Sequence, residues 1–276
     1  MKFNYIVYIS IILIANSCSN QKAIKKNIIL QKSCKELSIY PLHNGSPHNK
    51  DRTRWFETYK MTKGIVVLIH GLNNKPSSMN PLAKMSNEQG FDVLRVALEG
   101  HRGADDEIKK ITQEKWQSTM YLSYCHARKV AQKKKVPLYF IGNSLGALTN
   151  LELMINQTKT KVDYKAMILF APAISLRPYV YLIKALKFLG PDFLIPSWTP
   201  KDYRSNDGTS NSAYNALFTN ISKIEKSPWD KISKVPTLVI IDPDDELIDL
   251  DDIQDLIKTK KMNNWEILKI SNKKTL

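Results

Sequence analysis

One serine lies in a pattern suited to nucleophilic chemistry. Residues 142–146 read GNSLG, a G-x-S-x-G pattern, and the apolar run of residues 138–141 leads directly into it. A helical pattern starts immediately after Ser144. On such a sharp strand-to-helix turn the serine needs small neighbours, which Gly142 and Gly146 supply, and its Oγ lies at the positive end of the helix. The alternative is a glycine-rich turn with a capping serine.

The elements that would position this serine alternate regularly along the chain. Six apolar runs predict strands, at residues 64–70, 91–98, 138–141, 166–171, 237–241 and 265–270. Helical patterns lie between them, at residues 76–89, 112–135, 145–156 and 250–259. This alternation predicts an α/β fold with a mostly parallel sheet and helices on both faces. Residues 175–230 interrupt it and predict a cap insertion rich in aromatic residues.

Three further segments, together with the serine turn, resemble the α/β-hydrolase family. They are residues 69–72 (IHGL), 99–103 (EGHRG) and 235–249, a strand followed by an acidic loop. The resemblance covers residues 60–276 and is closest to the branch of S33 serine aminopeptidases and monoacylglycerol lipases. It implies that Ser144 attacks an acyl carbonyl, and that the backbone N–H groups of Leu72 and Leu145 hold the resulting oxyanion.

The same resemblance implies the supporting residues and the acid. His70 and Gly71 would brace the oxyanion loop, beside the two glycines of the serine turn. Asp245 falls at the position of the catalytic acid, with Asp244 as the alternative in the same loop. A solvated acidic turn or a cluster of charges at a helix N-terminus accounts for most of the other aspartates nearby.

The catalytic base is missing from its expected place. The family places its histidine after the last strand, whereas all five histidines precede Ser144: His43, His48, His70, His101 and His126. The C-terminal end is therefore expected to be incomplete, either because the chain is a truncated hydrolase or because it is an inactive relative. His101 is an alternative base if its loop reaches the serine, and His126 is expected to be structural.

The function implied is a serine hydrolase that cleaves carboxylic esters through an acyl-enzyme, with a small-molecule ester or a lipid as substrate. The alternatives are a serine peptidase on the same scaffold and a non-catalytic surface lipoprotein that retains the fold. No cofactor and no metal site is expected. The acidic loop lacks the glycine and the terminal glutamate, at the required spacing, of an EF-hand.

The N-terminus is typical of an exported protein. A lysine at position 2 and an apolar run at residues 5–14 precede small residues and Cys18. Cys18 resembles the lipidation site of bacterial lipoproteins, so residues 1–17 are predicted to be a signal peptide and the protein to be membrane-anchored in the cell envelope. A plain secretory signal leading to a secreted or periplasmic protein, or an uncleaved anchor, remains an alternative. Residues 18–50 are predicted to be a polar tether, and residues 51–276 the hydrolase domain.

The composition argues against a nucleic-acid partner and bears on the state of the cysteines. The net charge is +15, but seven of the 41 basic residues are arginine and the lysines are scattered. Solvated lysine faces account for this charge better than a nucleic-acid site does. Cys34 and Cys125 remain if Cys18 is lipidated, and two buried or free thiols are expected in preference to a disulfide.

Overall fold

The structure is a computed structural model that describes residues 29–37, 50–102, 105–197 and 199–271. Nine strands are described within these ranges: β1 (Arg54–Phe56), β2 (Gly64–Ile69), β3 (Phe91–Val96), β4 (Leu138–Asn143), β5 (Met167–Phe170), β6 (Leu194–Pro196), β7 (Gly208–Ser210), β8 (Thr237–Ile241) and β9 (Trp265–Lys269). Seven of them form one sheet in the order β1-β3-β2-β4-β5-β8-β9. β1 pairs antiparallel to β3, and the other neighbours pair parallel. The six predicted strands are therefore confirmed, and β1 extends the sheet at one edge.

Six α-helices are described in the same ranges: α1 (Asn80–Glu88), α2 (Asp105–Ile108), α3 (Gln113–Lys134), α4 (Leu145–Asn156), α5 (Asn211–Glu225) and α6 (Leu250–Thr259). 3₁₀-helices cover Pro76–Met79 and Pro178–Leu189. α3 is preceded by Thr112, whose side chain accepts a hydrogen bond from the backbone N–H of Lys115, so the threonine is the N-cap of this helix. None of the described helices is long and apolar enough to cross a bilayer.

The sheet carries helices on both faces, as predicted. The side chains of β2 alternate between two apolar clusters, as the twofold repeat of a strand requires. Ile65, Val67 and Ile69 belong to the large cluster, which includes residues of α3, α4 and α5. Val66 and Leu68 belong to a smaller cluster, which includes Ala83 of α1 and Met79. All six residues of β2 are buried, so the strand lies in the centre of the core.

The predicted cap insertion of residues 175–230 divides into two parts. Its first part contains the 3₁₀-helix Pro178–Leu189 and a two-stranded antiparallel ribbon of β6 and β7. Its second part is α5, which packs against α4 and α3 in the core. The buried residues of α5 that carry this packing recur every three or four positions, at Ala213, Leu217, Ile221 and Ile224. Such a stripe is the buried face of a helix, so this part is not a cap.

The N-terminal segment is covalently joined to α3. Cys34 and Cys125 form a disulfide across 91 residues of sequence, so the prediction of two free thiols is wrong. Only the tertiary fold brings this segment to the middle of α3, where Tyr121 also donates a hydrogen bond to the carbonyl of Lys32. Residues 29–37 fall within the predicted tether, yet they pack against the domain. The predicted signal peptide, Cys18, His43 and His48 lie outside the described residues.

Candidate active site

Ser144 occupies a strained turn between β4 and α4. Its backbone has φ 48° and ψ −109°, a conformation that non-glycine residues rarely adopt. The turn is held from both sides. Its N–H donates to the carbonyl of Phe170 at 2.9 Å, while its carbonyl accepts from Leu148 at 3.1 Å and from Ala173 at 3.3 Å. The surrounding hydrogen bonds thus keep the hydroxyl-bearing residue in this conformation at the carboxyl end of β4.

The two glycines flanking the turn allow backbone to approach backbone. A Cβ atom on Gly146 would lie 2.7 Å from the carbonyl oxygen of His70, and one on Gly142 would lie 2.8 Å from the nitrogen of Ala147. Neither contact leaves room for a side chain. Both glycines are therefore required where the sequence predicted them, and Gly146 sets the start of α4 directly against the end of β2.

The loop after β2 lies against the serine. A Cβ atom on Gly71 would lie 3.4 Å from the Cβ of Ser144. The carbonyl of Gly71 accepts hydrogen bonds from His70 Nδ1 at 2.8 Å and from the N–H of Asn74 at 3.2 Å. Because a trans peptide directs its N–H opposite to its C=O, the N–H of Leu72 points out of this turn. Neither that N–H nor the N–H of Leu145 has a hydrogen-bond partner in the described part of the chain.

Two buried histidines hold the loops around the serine. His70 Nε2 accepts from the N–H of Leu98 at 3.1 Å, and His101 Nε2 accepts from the N–H of Asn73 at 3.0 Å. Each ring therefore carries its proton on Nδ1, which donates to a backbone carbonyl. Burial holds the pKa of His70 well below its usual value and lowers that of His101 to about 4. Both rings are neutral, and their centroids lie 4.6 Å apart.

Asp245 organises the loop that follows β8. Its Oδ1 accepts hydrogen bonds from the N–H groups of Leu247 at 2.9 Å and Ile248 at 2.8 Å. Its backbone carbonyl accepts from Arg177 Nε at 2.8 Å. Oδ2 accepts no hydrogen bond from the residues that the structure describes, so one oxygen of a well-held carboxylate is left for another partner. Asp244, in the same turn, is exposed.

The strand register brings the serine turn and the acid loop to one edge of the sheet. Asn143 lies beside Phe170, and Phe170 lies beside Ile240 in the next strand. Ser144 and Asp245 therefore both follow the carboxyl ends of parallel strands, with β5 between them. The last strand, β9, ends at the same edge, where the N–H of Ile270 donates to the carbonyl of Ile241 at 3.0 Å.

Comparison with known proteins agrees with this architecture. Residues 60–230 match the family described as serine aminopeptidase, S33. The chain belongs to this family of α/β hydrolases. No curated protein matches the chain. The solved structures that resemble the hydrolase include a soluble variant of the monoglyceride lipase from Saccharomyces cerevisiae, at 15% identity and a TM-score of 0.68, covering 84% of this chain and 88% of that one.

Two further solved structures have the same fold. One comes from work on LipS and LipT, two metagenome-derived lipolytic enzymes, and has 19% identity and a TM-score of 0.64, with 83% of this chain and 90% of that chain covered. The other is the monoacylglycerol lipase of Paleococcus ferrophilus, at 20% identity and a TM-score of 0.58, with 80% and 88% covered. At these identities the likeness establishes the fold alone.

The described histidines of the hydrolase offer no base to Ser144. His70 and His101 are neutral, fully buried and hydrogen-bonded at both ring nitrogens. The alternative that His101 serves as the base is therefore wrong, because its Nε2 already holds the backbone of the oxyanion loop. His126, on α3, is structural, as predicted. Its Nε2 accepts a hydrogen bond from Trp55 Nε1 at 3.1 Å.

A buried asparagine pair that no sequence motif reveals fixes the loop that carries Leu72. Asn73 Nδ2 donates to the carbonyl of Asn206 at 3.1 Å, and the N–H of Asn206 donates to Asn73 Oδ1 at 2.9 Å. Asn206 Nδ2 also donates to the carbonyl of Gly100 at 2.8 Å. The pair ties the insertion to the two loops that hold the histidines. No periodic signal marks these residues, since both lie in irregular loops 133 positions apart.

Proposed function

We propose that this α/β hydrolase cleaves carboxylic esters, with Ser144 as the nucleophile of an acyl-enzyme mechanism. The observation that carries the proposal is the strained serine turn, which lies directly against a loop with an unpartnered N–H group. A tetrahedral intermediate on Ser144 needs two such donors near its oxyanion, and Leu72 and Leu145 supply them. An ester is favoured as the substrate because the relatives named above are lipolytic enzymes.

The chemistry divides into attack and deacylation. Ser144 Oγ loses its proton to a base as it bonds to the acyl carbon, and the alcohol leaves with a proton returned by that base. Water then attacks the acyl-enzyme by the reverse proton path and releases the acid. In this scheme the free Oδ2 of Asp245 orients the base and stabilises its charged form, so Asp245 is preferred to Asp244 as the acid.

A base is the component that the described residues of this site do not supply. Asp245 lies at the edge where β9 ends, so an imidazole beside its Oδ2 would complete the site. The simplest test is to read the codons that follow codon 276. A histidine encoded shortly after β9, in frame or after a single frameshift, supports the proposal.

The decisive experiment labels the serine. A fluorophosphonate probe is applied to the chain with and without the downstream residues, and the labelled peptide is identified by mass spectrometry. We expect labelling at Ser144 in the extended chain, a rate lower by about 10³ or more in the 276-residue chain, and none in Ser144→Ala. Ser222→Ala is the matched control and should label normally. An extended chain that carries the histidine but leaves Ser144 unlabelled would contradict the proposal.

A second candidate function is a non-catalytic binder that retains the fold. The described histidines favour it, since each one holds a structural hydrogen bond. It predicts no ester turnover in the extended chain, although a substrate analogue would still bind. The third candidate, a serine peptidase, is separated from an esterase by measuring the turnover of matched amide and ester substrates.

We further propose that the protein is exported and membrane-anchored through lipidation at Cys18. The disulfide between Cys34 and Cys125 supports export, because such bonds persist in oxidising compartments and are rare in the cytosol. Metabolic labelling with a radioactive fatty acid should mark the wild-type chain in the membrane fraction. Cys18→Ala should abolish the label, and retention of the label in this variant would contradict the assignment.

A further inference from the structure

A basic pocket lies beside the disulfide, on the opposite side of the domain from the serine. It has a volume of about 250 Å³ and is lined in part by five basic residues: Lys35, Arg128, Lys129, Lys159 and Lys161. The polar side chains of Ser33, Gln132 and Thr160 complete its lining, and no acidic residue contributes to it.

The positive charge in the basic pocket is only partly compensated. Lys161 pairs with Asp163 at 3.2 Å. Glu36 is held by Ser33, whose hydroxyl and N–H donate to its carboxylate and lower its pKa, and its charge also attracts Lys159.

Two further cations of the basic pocket donate hydrogen bonds to backbone carbonyls. Arg128 donates to the carbonyl of Lys161 at 3.3 Å, and Lys129 donates to the carbonyl of Leu37 at 2.6 Å. Within the ranges the structure covers, Lys35 and Lys159 take part in no salt bridge. Like charges brought together with too few counter-charges favour an anionic ligand.

Three chain segments are fastened together around the basic pocket. The disulfide joins the N-terminal segment to α3, and the N–H of Cys34 donates to Thr160 Oγ1 at 3.0 Å in the loop after α4. Tyr121 of α3 hydrogen-bonds to both Lys32 and Thr160. The pocket is therefore held in shape by the fold, although its lysine side chains are long.

We propose that the basic pocket binds the phosphate group of an anionic phospholipid at the membrane to which the protein is attached. An arginine among lysines suits phosphate, because the guanidinium donates two parallel hydrogen bonds and the ammonium groups add charge. The phospholipid is favoured over a soluble phosphate by the course of the chain. Ser33, which lines the pocket, lies 15 residues after Cys18, and this limits their separation to about 54 Å. Basic clusters adjoining a membrane attachment point are drawn to anionic headgroups.

This binding would orient the hydrolase. The loop that carries Lys159 and Lys161 precedes β5, so it lies at the amino ends of the parallel strands. Ser144 lies at their carboxyl ends. A domain that rests on its basic pocket therefore presents the serine to the aqueous side, away from the membrane that holds it.

The test measures the protection of individual lysines and depends on no catalytic activity. The full chain is reconstituted into vesicles of phosphatidylcholine alone or mixed with phosphatidylglycerol, and is acylated with a water-soluble amine reagent. We expect Lys35 and Lys159 to react about five-fold more slowly in the phosphatidylglycerol vesicles. Lys226 and Lys258 should react equally in both, and 1 M salt should remove the difference. No slowing, or equal slowing of all four lysines, would overturn the proposal.

Two variants test whether the pocket itself is responsible. Arg128→Gln combined with Lys159→Gln should abolish most of the protection of Lys35. The matched control, Lys226→Gln with Lys258→Gln, removes the same charge and should leave the protection unchanged; an equal effect of both pairs would overturn the assignment.

Two further measurements distinguish a lipid phosphate from a soluble phosphate and test the membrane attachment. Inorganic phosphate added to phosphatidylcholine vesicles should not protect Lys35, and protection as strong as that by phosphatidylglycerol would replace the lipid with a soluble ligand. The proposal rests on the proposed membrane attachment, so failure of the chain to associate with phosphatidylcholine vesicles would also overturn it. Fluorophosphonate labelling of Ser144 is independent of all these outcomes.

Discussion

Ser144, the proposed nucleophile, and Asp245, the proposed acid, are held by two different kinds of structure. On the nucleophile side, Gly146, Gly71 and two neutral histidines bring backbone against backbone in the buried core. On the acid side, Asp245 holds a partly exposed turn through two hydrogen bonds of its own and leaves one carboxylate oxygen free. The groups around Ser144 are closely packed, whereas the carboxylate of Asp245 can still accept a hydrogen bond from another group.

Because of this difference, changes at the two sites should affect the free energy of unfolding and the reactivity of Ser144 differently. Any change on the nucleophile side disturbs contacts that also hold the sheet and its loops together, so it should reduce the free energy of unfolding along with reactivity. A change at the acid loop should reduce reactivity while leaving the fold nearly intact. The four predictions below test this contrast, ordered by their expected effect on the free energy of unfolding.

The largest effect is expected from Gly146→Ala. The added methyl group would meet the carbonyl oxygens of His70 and Ile69 at 2.7 and 2.8 Å, and neither backbone group can move without shifting β2. We expect a loss of about 3 kcal/mol in the free energy of unfolding, despite the better helix propensity of alanine. Urea denaturation measures it, with Lys258→Ala on the exposed side of α6 as the control. An unchanged midpoint would show that the close approach of β2 and α4 is not needed.

A smaller loss is expected from Asn206→Ala. The change removes Asn206 Nδ2, which donates to the buried carbonyl of Gly100 at 2.8 Å and to Asn73 Oδ1 at 3.2 Å, whereas the two backbone hydrogen bonds of residue 206 to Asn73 remain. Buried polar groups left without partners cost about 2 kcal/mol, and the loop that carries Leu72 should lose protection against amide hydrogen exchange. The exposed Asn215→Ala is the matched control. Unaltered exchange in residues 70–74 would show that the insertion does not fix this loop.

The histidines predict a pH dependence of similar size. Histidine in the unfolded chain titrates near 6.5. Burial lowers the pKa of His101 to about 4, and burial also holds the pKa of His70 well below its usual value. Between these values the unfolded chain binds more protons, so stability falls as the pH drops from 7 toward 4. His101 alone accounts for a loss of about 2 kcal/mol between pH 7 and pH 5.

The measurement needs a reference, because another buried group acts in the opposite direction. Burial raises the pKa of Glu152 to about 7, so its protonation favours the folded state over the same range. The experiment therefore compares the wild type with His101→Gln at each pH. The difference between the two proteins should shrink as the pH falls. A constant difference would contradict a neutral, buried His101.

The smallest effect on folding is expected from Asp245→Asn. The amide oxygen can still accept from Leu247 and Ile248, so the free energy of unfolding should fall by less than about 1 kcal/mol. In the extended chain, however, the labelling rate of Ser144 should fall by about 10³ or more, because the base loses its orienting charge. Asp251→Asn, in the first turn of α6, is the control. A large loss of stability without loss of labelling would reverse the contrast.

The sequence predicts the repeated elements of this fold well and the irregular contacts poorly. An apolar run such as residues 64–70, in a chain that alternates strands with helices, predicts a buried strand. The GNSLG turn predicts its own conformation, because its glycines are the only residues small enough for the close backbone contacts. By contrast, the sequence does not predict α5 as a core helix, because it lies within an aromatic stretch that resembles an insertion. The pairing of Cys34 with Cys125, and the roles of His101 and Asn206, depend on loops that meet only in the folded chain. No local pattern encodes such meetings.

The bond between Cys34 and Cys125 makes a closed covalent ring of the chain between them, and this ring contains β2 with the loop of His70. The exposed surface of that ring includes Tyr59 and Met61, which are 84% and 90% accessible to solvent. A protease that cuts there produces two fragments that stay linked, so the cleaved protein migrates as two pieces on a gel only after reduction. In an oxidising compartment the two fragments of a chain cut in this region would therefore remain joined. They would separate only when the disulfide is reduced.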